Sequence, residues 1–153
     1  EEDLEYVFAL VNNYLDPGGL FIFDMNTVHK YRDVIGDTTI AEDREDGSFI
    51  WENSYDVENG LNVYELALFL PREDGLYEKC EEEHVQRAYP LDVIKGMIEK
   101  AGMELVAVYD AYTRNPGDEN SERLTFIVRE HGKSAENDYH GIIPERAEKK
   151  SEE

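Results

Sequence analysis

Four consecutive apolar residues, Leu20-Phe21-Ile22-Phe23, follow directly on the turn Asp16-Pro17-Gly18-Gly19, and this junction constrains the fold more than any other part of the chain. A run without polar alternation suits a central strand buried on both faces, as in a parallel sheet. Ahead of the turn, Leu4, Val7, Phe8, Val11 and Leu15 recur at helical spacing. Glu1, Glu2 and Asp3 precede them and complement the positive end of a helix dipole. Proline fixes its own φ and two glycines permit the reversal, so the helix stops there. Helix, turn and buried strand together predict an α/β unit that starts in mid-fold. The first residue is Glu1, not methionine, which points to a chain that begins inside something larger.

From Thr38 to Tyr89 the texture changes. Residues 48–55 read as a strand, Glu58-Asn59-Gly60 as a hairpin signal, and 61–70 as a second strand with Val63, Glu65, Ala67 and Phe69 on one face. Pro71 to Gly75 makes another turn, and 76–88 reads as a third strand. Residues 38–89 are therefore predicted to form an antiparallel meander with one polar side. Pro90 suits the first turn of a helix, with Leu91, Ile94, Ile98 and Ala101 as its apolar stripe and Gly102 as its C-cap. Strands are expected at 105–109 and 124–128, around a loop containing Asn115-Pro116-Gly117. Residues 134–153 are polar and acidic apart from Tyr139 and Ile142-Ile143, and read as a loose tail.

Composition narrows the function classes. The 153 residues suffice for one domain with a core. They carry 36 acidic against 15 basic side chains, a net charge of −21, which argues against phosphate-backbone contacts and against an anionic membrane surface. Between Asp37 and Glu83 stand 15 Asp and Glu residues against Arg44, Arg72 and Lys79, either a solvated face or one that favours a cationic substrate or partner. The single cysteine, Cys80, excludes an intramolecular disulfide and a cysteine-based zinc cluster, and fits a reducing cytoplasm. No apolar run approaches the roughly 18 residues of a membrane span.

The stretch Leu15-Asp16-Pro17-Gly18-Gly19-Leu20-Phe21-Ile22-Phe23-Asp24 resembles the fifth-strand region of class I S-adenosylmethionine-dependent methyltransferases, where a helix, an L-x-P-G-G turn and a hydrophobic strand succeed one another. The following pieces resemble that family in its own order. The meander is similar to the insertion that caps the substrate side in many small-molecule members. Ala88-Tyr89-Pro90-Leu91 with Ile98-Glu99-Lys100-Ala101-Gly102-Met103 resembles the helix before the sixth strand. Ser121-Glu122-Arg123-Leu124-Thr125-Phe126-Ile127-Val128 resembles the antiparallel seventh strand. The resemblance implies an α/β fold: the C-terminal part of a seven-stranded Rossmann-like sheet over residues 1–133, with the meander inserted at 38–89 and an acidic tail at 134–153.

The family's donor site, a glycine-rich loop after the first strand, has no counterpart here. Gly18-Gly19 precedes a strand, whereas nucleotide fingerprints follow one and open a helix. Four further strands would need on the order of 100 more residues. The expectation is that S-adenosylmethionine serves the complete enzyme and that this chain alone binds none.

Ligands of open α/β sheets sit beyond the carboxyl ends of strands, which makes Asp24 and Asn26 substrate-side candidates; alternatively they cap the Thr27–Ile35 segment. His84 has the proton affinity to act as a base beside a methyl acceptor, and shares a strand face with Gln86; Arg87 and Tyr89 share the other. Arg87 can clamp a carboxylate bidentately or pair with the surrounding acids. Trp51, Tyr55, Tyr109 and Tyr112 either line an apolar acceptor pocket or belong to the core. Glu81-Glu82-Glu83-His84 makes a poor metal site, because successive strand residues alternate faces.

Two functions stand side by side. One is the acceptor-binding half of a methyltransferase acting on a small molecule, inactive in isolation, with an uncovered sheet edge open to self-association or to a donor half elsewhere, including one on a separate chain. The other is a non-enzymatic acidic α+β module that binds a ligand or partner.

Overall fold

A computed structural model describes residues 2–133; the expected acidic tail at 134–153 lies outside the described residues. Two compact units are present, one built from residues 2–25, 91–118 and 124–133, the other from 26–90 and 119–123.

The first unit opens with helix α1, Glu2–Tyr14, whose first turn carries Glu2, Asp3 and Glu5 and whose Phe8 is buried. Strand β1, Leu20–Asn26, follows it across the Pro-Gly-Gly turn. Helix α2, Leu91–Lys100, buries Ile94, Met97 and Ile98 and ends at Gly102, whose φ of 79° is open to glycine and strained for other residues. Strands β6, Met103–Asp110, and β7, Arg123–Glu130, pair antiparallel, and the sheet order is β1-β7-β6. Glu130 N–H donates to Gly19 O at one end of the β1–β7 pair and Thr27 N–H to Glu122 O at the other, so these strands also run antiparallel.

The core of this unit is aromatic. Phe126 is fully buried and stacks on Phe23 with ring centroids 4.8 Å apart; Phe8 approaches Phe23 at 5.3 Å and Phe21 at 6.4 Å. The opposite face of β1 lacks the two-sided burial that the Leu20–Phe23 run suits within a complete sheet. Leu20 is 52% and Ile22 60% exposed, and Asp24 on the same face is exposed as well. The reason is positional: β1 is the edge of a three-stranded sheet, and alternation sends Phe21 and Phe23 toward Phe8 while Leu20 and Ile22 meet no covering layer among the described residues.

The α1–β1 turn is held from the far end of the chain. Glu130, 3% exposed, accepts hydrogen bonds from Gly18 N–H and Lys133 N–H, both at 2.8 Å. The Lys133 ammonium donates to carbonyls at the C-terminal end of α1 and just beyond it, those of Asn12, Asn13 (3.1 Å) and Leu15 (2.7 Å). A cation there satisfies orphan carbonyls and complements the helix dipole. Glu130→Ala leaves two backbone donors without their acceptor and is expected to destabilise this unit by about 2 kcal/mol. Thermal denaturation checks it: an unchanged midpoint would show that water replaces the carboxylate at no loss.

The second unit is a four-stranded antiparallel meander in order β2-β3-β4-β5: Thr39–Arg44, Gly47–Asp56, Leu61–Pro71 and Tyr77–Arg87. Three strands were expected; β2 is additional. It is short and carries Glu42, Asp43 and Arg44, so periodicity alone marks it weakly. The β3–β4 hairpin closes where Asp56 accepts the N–H groups of Glu58 and Asn59 and the Asn59 side chain, which lowers the Asp56 pKa. One sheet face is acidic, with Glu52, Glu65 and Glu83 in adjacent register across three strands. The other bears Phe49, Trp51, Asn53, Tyr64, Leu66 and Leu68. In the Thr27–Ile35 segment, Lys30–Val34 is a turn of π-helix, with Ile35 N–H donating to Lys30 O at 2.9 Å. Tyr31, Ile35 and Ala88 form the buried core there, packed by Val28, Trp51 and Tyr55.

Candidate functional site

A chain of polar contacts runs through the second unit. The Arg123 guanidinium donates to Asn26 Oδ1 (3.3 Å), Asn26 Nδ2 donates to the Tyr31 hydroxyl (2.9 Å), and Tyr31 donates to Gln86 Oε1 (2.5 Å). The π-helical turn places Tyr31 at its hub, and such turns recur at functional positions because they aim side chains that a regular helix would not. Thr27 starts the turn: its hydroxyl accepts from Lys30 N–H (3.1 Å) and donates to Ser121 O (2.6 Å). Thr27, and not Asn26, therefore does the capping. Asn26 is free of that duty and enters the polar chain.

Tyr31 is 4% exposed, and burial pushes its phenol above the ordinary range, opposed by the Asn26 hydrogen bond and the Arg123 charge. It therefore stays protonated at neutral pH and works as a hydrogen-bond donor, not as a phenolate base. Aromatic rings continue from it. Tyr31 lies parallel to Tyr55 at 6.5 Å, Trp51 meets Tyr64 edge to face at 5.6 Å, and Tyr64 stacks on the His84 imidazole at 4.7 Å. Burial also raises the Tyr55 pKa. Asn53 and Asn62 are buried on the same sheet face, where Asn62 Oδ1 and Trp51 Nε1 have no hydrogen-bond partner among the described residues.

Of the residues singled out from sequence, Asn26, Trp51, Tyr55 and His84 join this network directly or through Tyr31 and Tyr64. His84 also bonds Glu82 at 3.0 Å, on the face it shares with Gln86. Arg87 lies on the opposite face and is exposed; it donates to the Asn59 carbonyl at 2.6 Å and so ties down the β3–β4 turn, pairing with no carboxylate among the described residues. Tyr89 follows β5 and is half-buried. Asp24, Tyr109 and Tyr112 belong to the first unit. Tyr109 is half-buried in β6, and Tyr112 is 92% exposed with a φ of 65°. Tyr31, Tyr64 and Arg123 are the members that sequence reasoning missed, whereas Gln86 was noted beside His84. For Tyr31 no signal existed, because five residues from Asn26 matches neither helical nor strand periodicity.

Among the described residues no glycine-rich loop leads from a strand into a helix. The two connections that lead from a strand into a helical turn, 27–29 and 88–90, contain no glycine, and Gly18 N–H is already engaged by Glu130. Among the described residues no three His, Cys, Asp or Glu side chains converge as a metal site. None of their helices is long and apolar enough to cross a membrane.

The chain is similar to two curated proteins provisionally named methyltransferases. It is 28% identical to one from Geobacillus sp. (strain WCH70) over 84% of this chain and 52% of that protein. It is 28% identical to YqeM of Bacillus subtilis (strain 168) over 82% of this chain and 51% of that protein. The chain thus spans about half the length of the curated relatives it matches. A crystal structure of an S-adenosylmethionine-dependent methyltransferase from Clostridium acetobutylicum ATCC 824 superposes with a TM-score of 0.78 at 28% identity, covering 86% of this chain and 53% of that one. CalS10, an amino pentose methyltransferase from Micromonospora echinaspora, shares the fold at 12% identity with a TM-score of 0.61, over 83% of this chain and 50% of that one. No protein-family profile matches.

Proposed function

From a chain related in sequence and fold to class I S-adenosylmethionine-dependent methyltransferases, we propose that these residues are the acceptor-side half of such an enzyme and that the acceptor is a small molecule. The observation that carries the reading is the rim of the first sheet. β1 forms its edge, with Leu20 and Ile22 more than half exposed, and the outer face of α1 adds an open apolar groove lined by Val7, Leu10, Val11, Tyr14 and Leu15. An apolar strand with one open edge, beside an uncovered helix face, suits a sheet that continues into further strands, or else self-associates. In the complete enzyme those strands belong to a donor-binding half supplied by polypeptide outside these residues. The small-molecule acceptor is supported by the net charge, which disfavours nucleic acid, and by the substrate named for the fold neighbour CalS10.

In the complete enzyme S-adenosylmethionine supplies the methyl group. What these residues contribute is positioning: alignment of an acceptor is itself a large part of such catalysis. Asn26, Tyr31 and Gln86 form a neutral hydrogen-bonding relay that holds the π-helical turn against the sheet, and His84 is the side chain able to take a proton. Asp24, Arg87, Tyr89, Tyr109 and Tyr112 remain substrate-side candidates on sequence grounds alone.

Calorimetry tests the division of labour. The chain by itself is expected to show no saturable heat with millimolar S-adenosylmethionine and no methyl transfer. Mixing it with the portion of YqeM that it does not match is expected to restore donor binding. Saturable donor binding by the chain alone would sink the proposal.

A further inference from the structure

On the aromatic face of the four-stranded sheet, Phe49, Trp51, Tyr64, Leu66 and Leu68 line an open groove of about 310 Å³. Its walls are apolar, but its margins are not. Glu42 of β2 is the register partner of Phe49, and Glu82 of β5 is the register partner of Leu66. Residues paired in antiparallel register project to the same face, so a carboxylate stands on either side of the groove. Arg44 engages Glu42, and His84 bonds Glu82 while stacking on Tyr64, which leaves Glu82 beside a ring and an imidazole instead of a permanent cation. Trp51 and Tyr64 meet edge to face and form an electron-rich corner at the same end.

We propose that this groove binds a protonated amine with an apolar body: the ammonium at the Trp51–Tyr64 corner near Glu82, the body along Phe49, Leu66 and Leu68. This rests on reading the sheet as the acceptor side and names its substrate class as an amine. Aromatic faces attract ammonium through their quadrupole, more strongly where water is partly excluded. The flanking carboxylates reject an anionic ligand and leave a purely neutral one without its best partners. They also oppose a second copy of the chain as occupant, since two surfaces of the same sign, each on a molecule of net charge −21, would have to meet.

Trp51 is the only tryptophan, so its fluorescence reads occupancy in the intact chain. Titration with 2-phenylethylammonium is expected to change the emission saturably. 2-Phenylethanol, the same body without charge, is expected to bind roughly tenfold more weakly, and 3-phenylpropionate not at all. Tyr64→Leu keeps an apolar wall and removes the ring; Glu82→Gln, at an exposed position, removes only charge. Each is expected to reduce the advantage of the ammonium over the alcohol several-fold, with the far-ultraviolet circular dichroism unchanged for Glu82→Gln. Equal binding of the three probes, binding of none, or an emission change that tracks protein concentration would overturn the proposal. None of these readouts involves the methyl donor, so a failure here leaves the donor-binding test to decide the methyltransferase reading separately.

Discussion

Phe126→Ala is expected to remove about 3–5 kcal/mol from the stability of the first unit, the range measured for truncating a fully buried aromatic. Phe126 has no exposed surface, and its ring lies nearly parallel to that of Phe23, which also contacts Phe8 and stacks on Phe21. Alanine would open a cavity against one face of Phe23, the ring that links those carried on α1, β1 and β7. The loss is comparable to the whole net stability of a marginal domain. This unit has one face of β1 uncovered already, so it has little in reserve. Hydrogen exchange of the β1 and β7 amides is the direct measure, because the only tryptophan lies in the other unit. Tyr112→Ala, at a 92% exposed position, is the matched control and is expected to stay within about 0.5 kcal/mol. Should Phe126→Ala protect its amides as well as the parent chain does, the aromatic stack is not what holds the sheet to its helix.

Tyr31→Phe is expected to destabilise the second unit by about 1–3 kcal/mol, because it keeps the ring and strands two polar partners, Asn26 Nδ2 and Gln86 Oε1. The pH dependence identifies the group responsible. Burial raises the Tyr31 pKa above its ordinary value of about 10. A group whose folded-state pKa is raised contributes stability that is fully present below the unfolded value and is lost as pH rises through the folded one. The parent chain should therefore weaken above about pH 10, while Tyr31→Phe, with no proton to lose there, should show a shallower alkaline decline. Tyr55, raised by burial too, keeps some slope in both proteins. Urea denaturation followed through Trp51 from neutral to alkaline pH reads both effects. A variant as stable as the parent at pH 7, with an identical alkaline limb, would mean that the relay is ornamental. In the reconstituted enzyme the same variant is expected to raise the KM for the acceptor more than it lowers kcat, as befits a positioning residue.

Helix α1, the Pro-Gly-Gly turn, β1, α2, β6, β7 and the long meander strands were all legible in the chain. Each depends on signals within a few residues: the 3.6- or 2-residue period imposed by backbone geometry, and the special φ values of proline and glycine. The burial of β1 was not legible. A run such as Leu20–Phe23 records that its residues are apolar, whereas exposure depends on which layers arrive beside them, and here only the Phe21 and Phe23 side is covered. The Tyr31 relay and the Glu130–Lys133 lock were equally hidden. Arg123 reaches Asn26 across 97 positions and Glu130 reaches Gly18 across 112, so no local pattern joins them. Periodicity along the chain thus determined the elements and their order; the crossing of distant segments decided which polar atoms meet and which apolar ones stay bare, because hydrogen-bond satisfaction and burial are properties of neighbours in space.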